Sequence, residues 1–200
     1  MSTIEAGRDL TDALDRRDGL PAAFRFLETG CPRSAWPTMA LHPLAQHWLD
    51  IHGWFRGQIA ELEAIGGAWR EGRIDAAAYR AAAPPRLGQL LNNLHHHHTL
   101  ETEQAFPMLM GAEPRMADGF ALLDRDHDAI EHLLSAMAEA ANALVQAGFD
   151  PGASASALPP LAENLSDRIE RGAALINNHL RDEEEIVVPV LTLRGAHLRF

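Results

Sequence analysis

Cysteine is almost absent from this sequence, since Cys31 is the single one among 200 residues. One cysteine excludes an internal disulfide framework, and it also excludes a zinc or iron–sulfur site built from several thiolates. Basic residues are scarce too: 17 Lys and Arg stand against 28 Asp and Glu, which gives a formal net charge of −11. That balance argues against a nucleic-acid-binding surface.

Long apolar runs and a secretory leader are also missing. No run approaches the ~20 apolar residues that a membrane-spanning helix needs. Residues 1–9 are polar and acidic, unlike a secretory signal peptide. We therefore expect a soluble, cytoplasmic protein without membrane or nucleic-acid partners, of a length that suits one domain. The sequence leaves the oligomeric state open.

Strand signals are nearly absent, whereas helical periodicity is strong in four segments. The first and third segments carry the same apolar stripe, which steps by three and four residues and includes one histidine. The third stripe comprises Phe120, Leu123, His127, Ile130, Leu134, Met137, Ala141 and Leu144. The first comprises Ala45, Trp48, His52, Phe55, Ile59 and Leu62. His52 and His127 therefore occupy equivalent core positions.

The second and fourth segments share a different pattern, a histidine followed four residues later by a glutamate. It reads His97-x-x-x-Glu101 in the second segment and His179-x-x-x-Glu183 in the fourth. A His and a Glu at this spacing project from the same face of a helix, one turn apart. Two such faces turned toward each other could supply imidazoles and carboxylates to a buried pair of metal ions.

The repeated order of these segments indicates an internal duplication. It predicts an all-α protein, an antiparallel up-down four-helix bundle over residues 41–192. Residues 1–40 are predicted to add an N-terminal helical cap, of a role that the sequence does not give, and residues 193–200 a C-terminal tail. Prolines predict helix starts at Pro84-Pro85 and Pro159-Pro160, and ends or kinks at Pro107 and Pro189.

The stripe residues imply a metal because they lack a counter-charge. A buried carboxylate needs a cation, and a buried imidazole needs a hydrogen bond. The stripes hold four histidines and two glutamates, but no Lys or Arg. Two divalent ions would supply the missing positive charge. Imidazole and carboxylate without thiolate suit iron, manganese, zinc or cobalt, and iron is the leading choice.

Two runs of similar residues leave the ligand choice partly open. The run His95-His96-His97-His98 covers all sides of a helix, so no more than two of its histidines can point inward. The frame shared with His179 selects His97, with His98 as the fallback. In the acidic run of residues 182–185, Glu183 lies in the stripe and Glu184 is the weaker candidate.

These residues resemble the pattern of the hemerythrin-like family, also called the HHE cation-binding domain. The resemblance rests on the order His52, His97-x-x-x-Glu101, His127, His179-x-x-x-Glu183, with a proline after each pair. It implies a four-helix bundle that holds two iron ions in an Fe–O–Fe type centre, bridged by both glutamates, with the histidines as terminal ligands. Zinc or manganese remain possible. Ferritin-like proteins use Glu-x-x-His pairs, which this sequence lacks.

The third segment departs from the oxygen-carrying members of that family. Those members have a second histidine one turn after the first, where this chain has Glu131, followed by His132. Carried over by position, Glu131 becomes a third carboxylate ligand, and His132 is a replacement or a neighbour of the ligands. The predicted metal ligands are therefore His52, His97, Glu101, His127, Glu131, His179 and Glu183.

Three functions are compatible with this pattern. The leading hypothesis is a binding protein, not an enzyme, whose di-iron site binds or senses O2, NO or peroxide, or handles iron. The second is an enzyme that acts on hydrogen peroxide or repairs iron centres in other proteins. The third is a structural bundle stabilised by zinc.

Overall fold

A computed structural model describes residues 13–149 and 157–197, and within these ranges the chain is helical and has no β-strand. Four long helices dominate it: α1 (Pro43–Arg70), α2 (Ala76–Leu100), α4 (Ala117–Ala147) and α5 (Leu158–Arg194). A π-helical turn, Glu101–Ala105, joins α2 to the short α3 (Phe106–Ala112). The predicted all-α helical bundle is confirmed. None of the described helices is long and apolar enough to span a membrane.

The segment before α1 contains turns and two short 3-10 helices, Ala22–Phe24 and Arg33–Ala35. Its first twelve residues lie outside the described ranges. The segment is therefore less regular than the helical cap that its amphipathic pattern predicts. Several of its apolar side chains are nonetheless buried, as shown by Leu20 and Trp36, which are 1% and 9% exposed.

The helix start predicted at Pro84-Pro85 is wrong. Helix α2 begins at Ala76, so Pro84 and Pro85 lie inside it. A proline inside a helix costs about 3 kcal/mol, but burial of a large side chain offsets a similar amount. Tyr79, which is fully buried, anchors the turns before the prolines against Trp69, with ring centroids 6.1 Å apart.

Helix α5 continues through Pro189 to Arg194, so this proline does not end the helix. The side chains on both sides of this proline, Val188 and Val190, are fully buried. Their burial holds the helix together where local preference alone would end it. Around Pro107, α2 ends at Leu100, the π-helical turn follows, and Pro107 lies in the first turn of α3.

The described residues fall into two compact units, and each long helix contributes one stretch to each unit. The first unit contains residues 13–53, 98–129 and 175–197. Its apolar core contains side chains of the N-terminal segment and of α1, α3, α4 and α5. Representative core residues are Leu20, Leu27, Trp36, Ala45, Phe106, Leu109, Met116, Phe120, Leu123, Val187 and Leu191.

The second unit contains residues 54–97, 130–149 and 157–174. Its buried side chains follow the predicted stripes and include Phe55, Ile59, Leu62, Leu87, Leu90, Leu94, Ile130, Leu134, Met137, Leu165 and Ile169. At its surface Arg70 donates to Glu163, Asp167 and Glu170 of α5. The second unit thus has an ordinary apolar core formed by helices.

In the first unit, Glu113 pairs with Arg115 and Arg194. This group of three side chains, the Glu113 clamp, should make the stability of the fold depend on pH. Its carboxylate accepts from Arg115 Nε at 2.7 Å and from Arg194 Nε at 3.0 Å. The hydrogen bond from Arg115, aided by Arg194 and opposed by burial, lowers the pKa of Glu113 to about 2. A lowered folded-state pKa stabilises the fold above the ordinary pKa, and that stability is lost as the pH falls toward 2.

We therefore expect Glu113→Gln to lower the free energy of unfolding by about 1–2 kcal/mol at pH 7. The difference from the unaltered protein should shrink as the pH falls from about 4.5 to about 2. Urea unfolding of both proteins across this range measures it. Glu139→Gln, at an exposed position, is the control and should show no such trend. A difference that stays constant with pH would contradict the clamp.

Candidate metal centre

The buried polar residues of this chain concentrate in the first unit. Carboxylates predominate among them, and Arg17 is the one buried arginine of the described residues. The set comprises Arg17, His52, His98, Glu101, Glu113, Asp126, His127, His179, Asp182, Glu183 and Glu184. Because a buried charge requires a partner, these carboxylates need positive charge close by.

Three imidazoles form the first donor group. His98, His127 and His179 each offer one ligand atom, and these atoms lie within 4.8 Å of one another. The rings of His98 and His127 are stacked with centroids 4.1 Å apart, and the ring of His179 lies 4.9 Å from that of His127. Convergence of three buried imidazole nitrogens is typical of a metal site.

Two imidazoles and two carboxylates form the second donor group. His52, His97, Glu101 and Glu183 also offer atoms within 4.8 Å of one another. His52 and Glu183 are fully buried, and Glu101 is 1% exposed. His97 is the residue next to His98 in α2, and its ring lies 5.1 Å from that of Phe55. The donor set is compatible with the binding of a metal cation.

Both glutamates face histidines of the first group. Glu183 Oε2 lies 3.1 Å from His179 Nε2, while its Oε1 lies 3.3 Å from His52 Nε2. Glu101 Oε2 lies 3.4 Å from His127 Nε2. Each carboxylate of the second group is thus adjacent to an imidazole of the first. The two carboxylates therefore lie between the two candidate donor groups.

The charges of the cluster favour a cation at its centre. Burial and the negative charge of Glu183 raise the pKa of Glu101 well above its ordinary value. Burial alone would lower the pKa of His179, but Asp126 and Glu183 outweigh it and raise this pKa to about 9. The pKa of His52 is raised as well, because Glu183 and Glu184 outweigh burial. Positive charge, whether from protons or from metal ions, is therefore favoured here.

Three of the histidines are held from outside by their Nδ1 atoms. His52 Nδ1 lies 3.1 Å from Glu184 Oε1, and His179 Nδ1 lies 3.5 Å from Asp126 Oδ2. A carboxylate only accepts, so these Nδ1 atoms carry the proton. This leaves each Nε2 directed at Glu183. Metal-binding histidines are commonly oriented in this way.

The third histidine is held by a hydroxyl group. His127 Nδ1 lies 3.1 Å from Thr102 Oγ1, and this hydroxyl donates to Asp124 at 2.7 Å. The hydroxyl can therefore accept from the imidazole and direct its Nε2 toward Glu101. Thr102 belongs to the π-helical turn that begins at Glu101. Such turns often occur at functional sites, and this one carries both a donor and its support.

The structure brings together six of the seven predicted ligands, namely His52, His97, Glu101, His127, His179 and Glu183. His98 was the alternative to His97 in the sequence prediction. The structure places His98 in the first donor group and His97 in the second. Both inward positions of the four-histidine run are therefore used. Glu184, the competitor of Glu183, is buried but contacts the outer nitrogen of His52.

Glu131 is the predicted residue that lies outside both groups. Its side chain is 51% exposed and pairs with His95 Nδ1 at 3.1 Å. The buried stripe of α4 runs through Ile130 and Leu134, which turns the neighbouring Glu131 toward solvent. His132 is exposed too. The expectation that Glu131 adds a third carboxylate must therefore be corrected.

The sequence did not predict several residues that contact the donor groups and support them. Arg17, Asp126 and Trp48 contact the cluster, and Trp48 Nε1 donates to Glu183 Oε1. Asp126 precedes His127 and so falls beside the stripe and not in it. Only Trp48 occupied a predicted core position. Helical periodicity carries no signal for the other two.

The comparisons with known proteins point the same way as this geometry. No curated protein and no solved structure shows a significant match to the chain. The family model described as the hemerythrin HHE cation-binding domain matches residues 44–191, well over half of the chain. This match covers almost all of the four long helices and every residue of the two donor groups. The chain belongs to the hemerythrin HHE cation-binding family.

Proposed function

We propose that this protein binds two iron ions and uses them to bind or sense O2, NO or peroxide, or to handle iron. The observation that carries the proposal is the position of Glu101 and Glu183. Each carboxylate faces an imidazole of the first donor group and belongs to the second. Carboxylates shared between two sets of imidazoles suit a pair of closely spaced ions.

The residues present fit such a pair. His179 Nε2 and Glu183 Oε2 are buried, face each other, and make no hydrogen bond in this structure. Buried nitrogen and oxygen atoms without a hydrogen-bond partner are what a metal ion requires. His98, His127 and His179 would hold one ion, and His52 and His97 the other, with the two glutamates between them. Bound iron would supply one-electron redox chemistry and affinity for small ligands.

Apolar side chains lie beside the candidate metal centre. Phe106 stacks on the ring of His127, with centroids 5.5 Å apart. Phe106, Phe120 and Val187 are almost completely buried, so the walls beside the cluster are apolar and close-packed. Such apolar surroundings are compatible with a small ligand such as a diatomic molecule or peroxide. The histidines keep their orientation through Glu184, Asp126 and Thr102.

Metal analysis combined with an optical spectrum tests the proposal. Aerobically purified protein is expected to contain about two irons per chain and to absorb in the near ultraviolet beyond its aromatic bands. Stoichiometric zinc with a featureless spectrum would contradict the iron proposal and favour a structural bundle. Adding peroxide or NO then separates the roles, because a stable adduct indicates a sensor and turnover indicates an enzyme.

A further inference from the structure

Arg17 connects the N-terminal segment to the first donor group. The side chain of Arg17 is 4% exposed, and its two Nη atoms donate to both carboxylate oxygens of Asp126, from Nη1 at 2.8 Å. Its Nε donates to Asp182 at 2.8 Å. Asp126 in turn contacts His179 Nδ1. A chain of contacts therefore runs from the N-terminal segment through Asp126 to His179.

Arg33 makes a corresponding connection to the second group. Its Nη2 donates to Glu184 Oε2, and Glu184 Oε1 lies 3.1 Å from His52 Nδ1. The guanidinium of Arg33 also lies over the ring of Trp36, 4.8 Å from its centroid, which fixes its position. Glu184 is completely buried and therefore needs a positively charged partner. Arg33, from the N-terminal segment, is such a partner.

We propose that Arg17 and Arg33 are positioning residues and that residues 13–41 brace the metal centre through them. The inference rests on the proposed function, since it assumes that the two donor groups hold metal ions. A guanidinium that grips a carboxylate fixes the plane and the charge of that carboxylate. The carboxylate then fixes the ring of the histidine that it holds, and so the direction of Nε2.

The two braces act on different donor groups, which gives the proposal its specific test. Arg17 acts through Asp126 on His179, a member of the all-histidine group. Arg33 acts through Glu184 on His52, a member of the group with two carboxylates. Loss of either arginine should weaken one of the two metal sites more than the other. A merely structural role would weaken both sites together.

Anaerobic titration with Fe2+ measures the effect on the purified full chain. We expect Arg17→Gln and Arg33→Gln each to weaken the binding of one of the two ions by about 10–100-fold. The matched controls are Arg16→Gln, beside Arg17, and Arg25→Gln. Arg25 is as exposed as Arg33, at 41% against 42%, but it does not contact a carboxylate that holds a histidine. Both controls should bind two ions with unaltered affinity.

Double-mutant cycles identify the route of each effect. The loss caused by Arg17→Gln should be non-additive with Asp126→Asn, since both act through one carboxylate. It should be additive with Glu184→Gln, which belongs to the other brace. Arg33→Gln should show the opposite pattern. Arg17→Lys keeps the charge but cannot make the bidentate contact with Asp126. This variant should fold normally and still bind one Fe2+ ion about tenfold more weakly.

The outcomes separate the brace from the proposed function. If the unaltered protein takes up no metal, both are overturned. If it takes up two ions and the Arg17 and Arg33 variants bind like the Arg16 and Arg25 controls, the brace alone is overturned. Equal weakening of both sites in every variant, with additive cycles throughout, would also overturn it, because that pattern indicates a general loss of packing.

Discussion

Glu101→Gln is expected to change the metal-loaded and metal-free proteins in opposite directions. In the metal-loaded protein, the change removes a carboxylate that faces His127 and belongs to the second donor group. Bound iron should fall from about two ions to at most one per chain. In the metal-free protein, the same change should raise the unfolding temperature.

The rise follows from the pKa of Glu101, which burial and the charge of Glu183 place well above its ordinary value. An acid with a raised folded-state pKa destabilises the fold above the unfolded-state pKa, because the unfolded chain ionises more easily. Glutamine removes that cost. Each kcal/mol relieved raises the unfolding temperature of a chain of this size by roughly 2–4 °C.

Metal loading should have a large effect in the unaltered protein. A ligand present at 1,000 times its dissociation constant stabilises the native state by about 4 kcal/mol, or on the order of 8–16 °C here. Glu101→Gln should lose most of this increment. Thermal unfolding with and without a chelator measures both quantities, alongside iron analysis.

Glu103→Gln is the matched control, since Glu103 lies in the same π-helical turn but is exposed. It should retain two irons and the full increment. A Glu101 variant that keeps two irons would show that this carboxylate is not a ligand. A variant less stable than the unaltered protein in the absence of metal would show that its role is structural.

Alanine substitution along the run of residues 95–98 should divide the four histidines into two classes. We expect His97→Ala and His98→Ala each to lose about one iron per chain, because the two side chains belong to different donor groups. His95→Ala and His96→Ala should retain both ions, since these two residues are exposed. Iron analysis of the four variants after identical purification measures the division.

The four substitutions are closely matched, because each removes one imidazole from a single helical turn. His179→Ala extends the test to α5 and should also lose one ion. If His97→Ala and His179→Ala both keep full occupancy, the assignment of the inward face of α2 is wrong. If His95→Ala loses as much iron as His98→Ala, the run binds metal at the surface instead.

The placement of Glu131 changes what can be inferred about the chemistry. A third carboxylate would have made the metal pair poor in imidazole, which disfavours reversible oxygen binding. In the structure Glu131 pairs with His95 at the surface, while His98 adds an imidazole beside His127 and His179. The candidate donor set is therefore five histidines and two glutamates. Oxygen binding and peroxide chemistry are both compatible with it.

The sequence by itself predicted the four long helices and most of the candidate donor residues. Helical periodicity depends on residues three and four apart, so it shows which side chains share a face without any knowledge of the fold. His52, His127 and the two His-x-x-x-Glu pairs were found in this way. The shortage of positive charge on the same faces then indicated a metal.

Only the tertiary structure decided how these donors are divided and supported. His97 and His98 lie side by side on α2, and only the packing of α2 against its neighbours assigns them to different groups. Arg17 grips Asp126 across 109 residues of sequence, and no local pattern encodes such a pairing. Burial of Ile130 and Leu134 turned Glu131 outward. Local periodicity specifies a face of one helix, whereas a metal centre depends on which faces meet.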